Sequence, residues 1–364
     1  MTYLNKLFRR LFIIILLAAI FSPATIYAMQ ETDAAIILEA SALKGVSPTY
    51  QTVTLKVISG KYKGKVFTIE NETVGNYAYD MVVKKGDKVS VFIQKQNGHL
   101  NVFIVDYYHQ NYILYLMLFF VTLLIVIGRG KGIKSIITLA FTIFVIIKIL
   151  LPAILLGYSS ILVTILLSIA IIVFSMFIIA GINNKSFSAI IGTIGGVLLA
   201  GFIAYFIQNK IGLTGLSSDD VAQLIMNMPY KIDFRSLLFP GIVLGALGAV
   251  MDVSISIASA VDEVSRANQN LTIKELYTAG MNIGRDIMGT MVNTLILAYS
   301  GSAIALFFLF VAYQSSLNDV LNLNIVANEI VRSLAESSGL VASVPLTALI
   351  SSILIKKDKS HIIK

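Results

Sequence analysis

After Gln110 the chain is a succession of apolar runs, each close to the length that crosses a bilayer, separated by a few polar or basic residues. A run of about 20 apolar residues spans the hydrocarbon core as a helix, because only a helix satisfies its own backbone there. Seven such runs are expected: Asn111–Gly128, Ser135–Leu155, Ser160–Gly181, Ser186–Gln208, Ser236–Asp262, Asp286–Tyr313 and Arg332–Ile355. The 364 residues are 57% hydrophobic and 13% charged, against about 45–50% and 25% in soluble domains. The predicted class is therefore mainly α, a polytopic helical membrane bundle of about seven spans.

Two segments precede the bundle. Residues 1–28 carry a basic start (Lys6, Arg9, Arg10), an apolar stretch from Leu11 to Phe21 and a small residue, Ala28. That order reads as an export signal, either cleaved or kept as an anchor. Residues 29–110 alternate apolar and polar positions, as in "QTVTLKVISGKYKGKVFTIENE", with "KKGDK" and "NGH" as turns. Period-2 alternation broken by Gly and Asn predicts hairpins, and about eighty residues of them suggest a small β-domain, OB-like in plan. His99 and His109 are isolated there and suit surface or turn positions. The domain division expected is thus 1–28, 29–110 and 111–364.

The charge pattern orients the spans. With the β-domain outside, the inner connections hold Arg129, Lys131, Lys134, Lys185, Arg266, Lys274, Arg285 and the tail lysines, whereas the outer ones hold Lys210, Lys231 and Arg235. Basic residues favour the cytoplasmic side, so a plasma-membrane protein with an extracytoplasmic β-domain and a cytoplasmic C-terminus is expected. The same distribution explains the net charge of +8 without nucleic acid as a partner. The bilayer is the partner that the composition requires. Cysteine is absent, so no disulfide framework or thiolate metal site can form. No cofactor motif is present, and the sequence leaves any metal unknown. In the long outer connection, "SSDDVAQLIMNMP" predicts a short helix capped by Ser217 or Ser218. On the inner side, Thr272 and Glu275 fit a capping box, which predicts an amphipathic surface helix over "LTIKELYTAGMN".

Polar residues inside the apolar runs are the candidates for function. At 100° per residue Asp252, Ser256, Ser259 and Glu263 share one stripe, with Gly241, Gly245 and Gly248 preceding them. Asp286, Thr290 and Asn293 form a second stripe, with Arg285 beside it and Tyr299 further along. Lys148 lies within "FTIFVIIKILLPAILLG", and Arg332 and Glu336 stand four residues apart after Glu329. An ionisable group at membrane depth costs about 2.5–3.5 kcal/mol on insertion scales and is expected to face protein or water with a partner. Spans two, five, six and seven are expected to bring these groups to a common interior. Plainer readings stand beside this: an Asp252–Lys148 ion pair, an Arg285–Asp286 pair at the inner boundary, a snorkelling Lys148, a solvated Arg332–Glu336 helix start, and serines bonded to their own helix.

"GALGAVMDVSISIASAVDE", "AGMNIGRDIMGTMVNTLILAYSG" and "EIVRSLAESSGLVASVPLT" resemble the YibE/F family of bacterial multi-pass membrane proteins, over roughly Asn111 to the C-terminus. The leading signal and β-domain make the chain similar to the YibE type. The resemblance implies a transporter or permease of unspecified substrate, and importance for Asp252, Arg285, Asp286, Asn293, Tyr299 and Glu336. The polar faces and the glycine-rich helices, including "GTIGG" at Gly192–Gly196, agree with a transporter whose pathway centres on Asp252 and Asp286. No P-loop occurs, so an ion gradient or a separate ATPase is expected to drive it. A membrane enzyme is disfavoured: HExxH and GxSxG are missing, and Asp252 and Asp286 lie in no intramembrane protease motif. The remaining alternative is a non-transporting subunit, sensor or assembly factor, with a second copy or a YibF-like membrane protein as partner.

Overall fold

The computed structural model describes residues 32–43, 49–73, 80–96, 99–215, 235–314 and 316–362. The expected signal segment and the expected helix at "SSDDVAQLIMNMP" lie outside them. The chain divides at Arg129 into two units, one over residues 24–129 and one containing residues 130–364.

The first unit is a five-stranded antiparallel sheet: β1 Asp33–Ala40, β2 Thr49–Val57, β3 Val66–Thr73, β4 Lys88–Gln96 and β5 His99–Tyr107, in the order β3-β2-β1-β4-β5. The expected alternation sets one buried face, with Ala35, Ile37, Val53, Leu55, Val57, Val89 and Val91 at 0–1% exposure. The register is anchored by pairs such as Ala35↔Val57 and Asp33↔Val91, with an irregularity between Ile37 and Glu39. Gln51 is buried and ties the 80–87 segment to the sheet: its side chain donates to Val83 O at 2.8 Å and accepts from Val83 N at 3.1 Å. Gly60 and Gly64 in "SGKYKGK" and Gly86 in the expected "KKGDK" turn take φ of 69°, 90° and 93°, while Asn97 and Gly98 of the expected "NGH" turn lie outside the described residues. The edge strands β3 and β5 also approach one another.

Helix α1, Gln110–Val145, leaves this unit and is interrupted at Arg129, where φ is 47° and ψ −131°. It passes through a π-turn, Ile146–Leu150, into α2, Leu151–Leu155. The π-turn has a local cause. Pro152 has no N–H for the Lys148 carbonyl, and the Leu151 N–H reaches back to Ile146 O.

The second unit contains α3 Ser160–Ala180, α4 Asn184–Ile211, α5 Arg235–Ala267, α6 Ile273–Ser302, α7 Ile304–Ala312, α8 Leu317–Leu321 and α9 Asn324–Ile362. α5 packs on α3, α4, α6 and α9 and buries Val243, Val250, Val253, Ile257 and Val261 at 0–1% exposure. Small residues let α4 and α9 approach backbone to backbone: a Cβ on Gly196 would lie 2.5 Å from Gly339 O, and a Cβ on Gly339 would lie 2.5 Å from Gly196 O. Gly192 faces Thr347, whose hydroxyl bonds Ser254 of α5 at 3.2 Å.

Among the described residues, five helical runs are long and apolar enough to cross a membrane, or six if α6 and α7, bent by 61°, form one broken span. The seven-span expectation differs mainly because Asn111–Gly128 and Ser135–Leu155 fall within one 46-residue run, Gln110–Leu155. A second difference concerns "LTIKELYTAGMN". The capping box forms: Thr272 N donates to Glu275 Oε2 at 2.7 Å, and Glu275 N to Thr272 Oγ1 at 3.3 Å. The helix it starts is not a separate surface helix. It continues without a break to Ser302, because Gly280 and Gly284 fit tightly against Val261 and Ala348, and against Ile257 and Val344.

Candidate functional site

The polar residues of the apolar helices fall into two groups, one buried and one on the surface of the chain. The buried group is carried by α9. Glu336 has 0% exposure. Tyr299 of α6 donates its hydroxyl to Glu336 Oε2 at 2.5 Å, while Glu336 Oε1 is buried with no hydrogen-bond partner among the described residues. Gly245 of α5 supplies a flat wall here, since a Cβ on it would overlap the Glu336 carboxylate. One turn earlier on each helix, a Cβ on Gly241 would lie 3.7 Å from Arg332 Nη2. Arg332 Nη1 pairs with Glu329 Oε1 at 3.0 Å, and its Nε is buried without a partner among the described residues. The reading of Arg332 and Glu336 as a solvated helix start is therefore replaced: both lie inside α9, where Arg332 turns to Glu329 and buried Glu336 to Tyr299.

A cavity of about 440 Å³ adjoins this group, lined by Tyr299, Glu329 and Ser333 and by apolar residues of α6 to α9, among them Phe307 and Leu321. The break between α6 and α7 positions this lining.

The second group does not reach that interior. Asp252 and Ser256 of α5 are exposed on the chain's surface and Ser259 is half-buried. Arg285, Asp286, Thr290 and Asn293 of α6 are exposed as well. Thr290 bonds back to Ile287 O at 2.9 Å, and Arg285 donates to Asn282 Oδ1 at 3.3 Å rather than pairing with Asp286. Lys148 is exposed in its π-turn, and among the described residues no ion pair joins it to Asp252. The segment carrying Lys148 packs against α3 rather than α5. Of the ten residues singled out from the sequence, the structure brings together Tyr299 and Glu336.

Sequence reasoning saw the Gly241–Gly245–Gly248–Asp252 stripe but not what covers it. Its first half lies under Arg332 and Glu336, whereas Gly248 faces open space and Asp252 is exposed. Glu329 was noticed only as a neighbour of Arg332, and its i,i+3 spacing was the signal for the pair. At the other end of α5, Asp262 bonds Arg266 at 3.0 Å and Lys185 at 3.8 Å, a partly exposed network joining α4 to α5. His109 sits 3.6 Å from Asp106, both exposed. No group of three or more His, Cys, Asp or Glu placed to hold a metal ion occurs among the described residues.

No curated protein and no solved structure matches the chain. Two family models do: the YibE/F family N-terminal domain over residues 46–107, and the YibE/F-like protein model over residues 116–357, the span that carries both polar groups. Since the second alone covers well over half of the sequence, the chain belongs to the YibE/F-like family.

Proposed function

We propose that this chain is an integral membrane transporter or permease whose ion-binding centre is Glu336. The observation that carries the reading is a fully buried carboxylate bonded by one hydroxyl among helices of membrane-crossing length. Such a group is costly at membrane depth, and ion pathways are where membrane proteins keep them. The pathway continues along α5. Asp252 follows Gly245 by seven residues on the same face, about 10 Å along the helix, and where another subunit covers this open face the exposed α6 stripe of Asp286, Thr290 and Asn293 would add oxygen ligands.

The proposed topology has seven crossings. The 46-residue run Gln110–Leu155 would measure about 69 Å as straight helix, more than two hydrocarbon thicknesses, which supports two crossings with the turn at Arg129. Counting α6 and α7 as one broken span then gives seven, and an odd number separates the β-unit from the C-terminus. Tyr107, Tyr108, Tyr112 and Tyr115 line a cavity of about 520 Å³ where β5 leads into α1, a residue type suited to the membrane–water boundary. The strand order and the approach of β3 to β5 support an OB-like barrel outside the plasma membrane.

The test is uptake by the purified chain in vesicles, screened over substrates under proton or sodium gradients. Glu336→Gln should abolish uptake; full uptake by the folded variant would remove Glu336 from the pathway.

A second reading rests on the exposed stripe. A face bearing Asp252 and Ser256 is poorly suited to lipid, which favours a covering membrane subunit, either a second copy or a YibF-like protein, and leaves room for a non-transporting role. The chain has no cysteine of its own, so Ser256→Cys reports cleanly. Disulfide dimers of the chain would support a second copy, and a crosslink to a different protein would support the hetero-partner.

A further inference from the structure

We propose that the ion taken up at Glu336 is a proton, and that Arg332 is the charge that responds to it. The inference rests on the reading of Glu336 as an ion centre.

The surroundings count against a metal cation. A hard cation asks for about six oxygen ligands. Glu336 is met by one hydroxyl, from Tyr299, and by the bare wall of Gly245. A guanidinium stands one turn away on the same helix and would repel a second cation. A proton needs a single oxygen, and Glu336 Oε1 is buried and unpartnered. Left ionised with one hydrogen bond, the carboxylate carries a charge that its surroundings do not compensate. Uptake of a proton removes that charge without any new ligand.

The second part concerns where the compensating charge goes. Arg332 follows Glu329 by three residues and precedes Glu336 by four, so both carboxylates are within its reach on one helix face. In the structure it sits on Glu329 at 3.0 Å. Its buried Nε has no partner, and a hydrogen-bond donor of that kind is free for the other carboxylate. When Glu336 gives up its proton, Arg332 turns from Glu329 to Glu336. Glu329, which lines the 440 Å³ cavity, is then left ionised and unpaired. With Glu336 neutral the cluster of two carboxylates and one guanidinium carries no net charge; with Glu336 ionised it carries one negative charge, displaced to the cavity wall. Such a site binds a positively charged substrate in the state that has released the proton. Tyr299 keeps its own proton throughout and positions the carboxylate.

Among the described residues the charged and titratable groups facing Glu336 are few. α6 contributes Tyr299, α9 contributes Arg332 and Glu329, and α5 contributes only the glycine wall, with exposed Asp252 two turns further on.

The test is an infrared pH titration of the full chain in vesicles, following the C=O stretch of a protonated carboxylic acid in an apolar environment. The expected result is one such band that disappears as pH rises, is unaffected by sodium, and is missing in Glu336→Gln. Tyr299→Phe should keep the band and move its frequency, because the hydroxyl no longer bonds the acid. This variant remains decisive if Glu336→Gln does not fold. A band that survives Glu336→Gln, an unchanged frequency in Tyr299→Phe, or loss of the band on adding sodium at constant pH would each overturn the proposal. The titration needs no substrate. A chain that titrates but moves nothing in vesicles keeps the proton site and loses the transport reading; sodium-driven uptake without a titrating acid does the reverse.

Discussion

Asp252 and Glu336 are both carboxylates in apolar helices, and their environments are opposite. Glu336 is wholly buried, bonded by Tyr299 and pressed against Gly245; Asp252 is exposed on the surface of the same bundle. Both even belong to one face of α5, Asp252 as its own residue and Glu336 by packing on Gly245 seven residues earlier. The reach of α9 separates them: it lays Arg332 and Glu336 over the first half of the stripe and leaves the second half open. A polar stripe on a helix is thus a property of that helix, while burial of the stripe is a property of its neighbour.

The sharpest way to break this comparison is to fill its two halves in turn. Gly245→Leu should be the most damaging change, at about 3 kcal/mol or more, because the new side chain displaces a carboxylate that has no other buried place. Gly248→Leu, three residues on, faces open space and should cost less than about 1 kcal/mol. Thermal unfolding of both in one detergent checks the contrast, and equal losses would show that the stripe is covered along its whole length.

The next effect in size is Tyr299→Phe. Removing the donor leaves the Glu336 carboxylate with no hydrogen bond from a described residue, for about 1–3 kcal/mol. The same change at Tyr112, an exposed tyrosine in the first turn of α1, should fall within about 0.5 kcal/mol.

The smallest expected effect is at Asp252. Asp252→Asn should alter stability by less than about 0.5 kcal/mol, and Lys148→Met should neither rescue nor worsen it, since the two residues are separate and exposed. A coupling above about 1 kcal/mol in the double-mutant cycle would revive the ion pair. A disulfide from Ser256→Cys would instead assign the open half of the stripe to another subunit.

These contrasts mark what the sequence could tell. The helicity of the apolar segments, the alternating strands, the turns at Gly60, Gly64 and Gly86 and the Thr272–Glu275 capping box are local patterns, and each formed as expected because its cause lies within a few residues. The "GTIGG" glycines of α4 were legible as a packing surface, and Gly192 and Gly196 meet α9. The Tyr299–Glu336 bond was not legible: its partners are 37 residues apart, and nothing local says which helix faces which. The expected common interior for Lys148, Asp252 and Asp286 failed to form in the single chain for the same reason. Helical periodicity gives the angle of a residue about its own axis and leaves the direction of the core undetermined. The boundary between Asn111–Gly128 and Ser135–Leu155 was legible only in part: the backbone breaks at Arg129, while the residues around Lys131 and Lys134 are helical rather than an open loop.

Backbone laid on backbone has a mechanical consequence at Gly196 and Gly339. Side chains at an interface can exchange rotamers and let two helices slide; a carbonyl against a Cα has no such compliance. α4 and α9 therefore act as a single stiff strut. Glu336 is attached to it, three residues before Gly339. The hydroxyl that meets it belongs to α6, which ends three residues later and turns by 61° into α7. Any displacement inside the site is then one-sided, with the carboxylate as the fixed jaw and Tyr299 as the moving one.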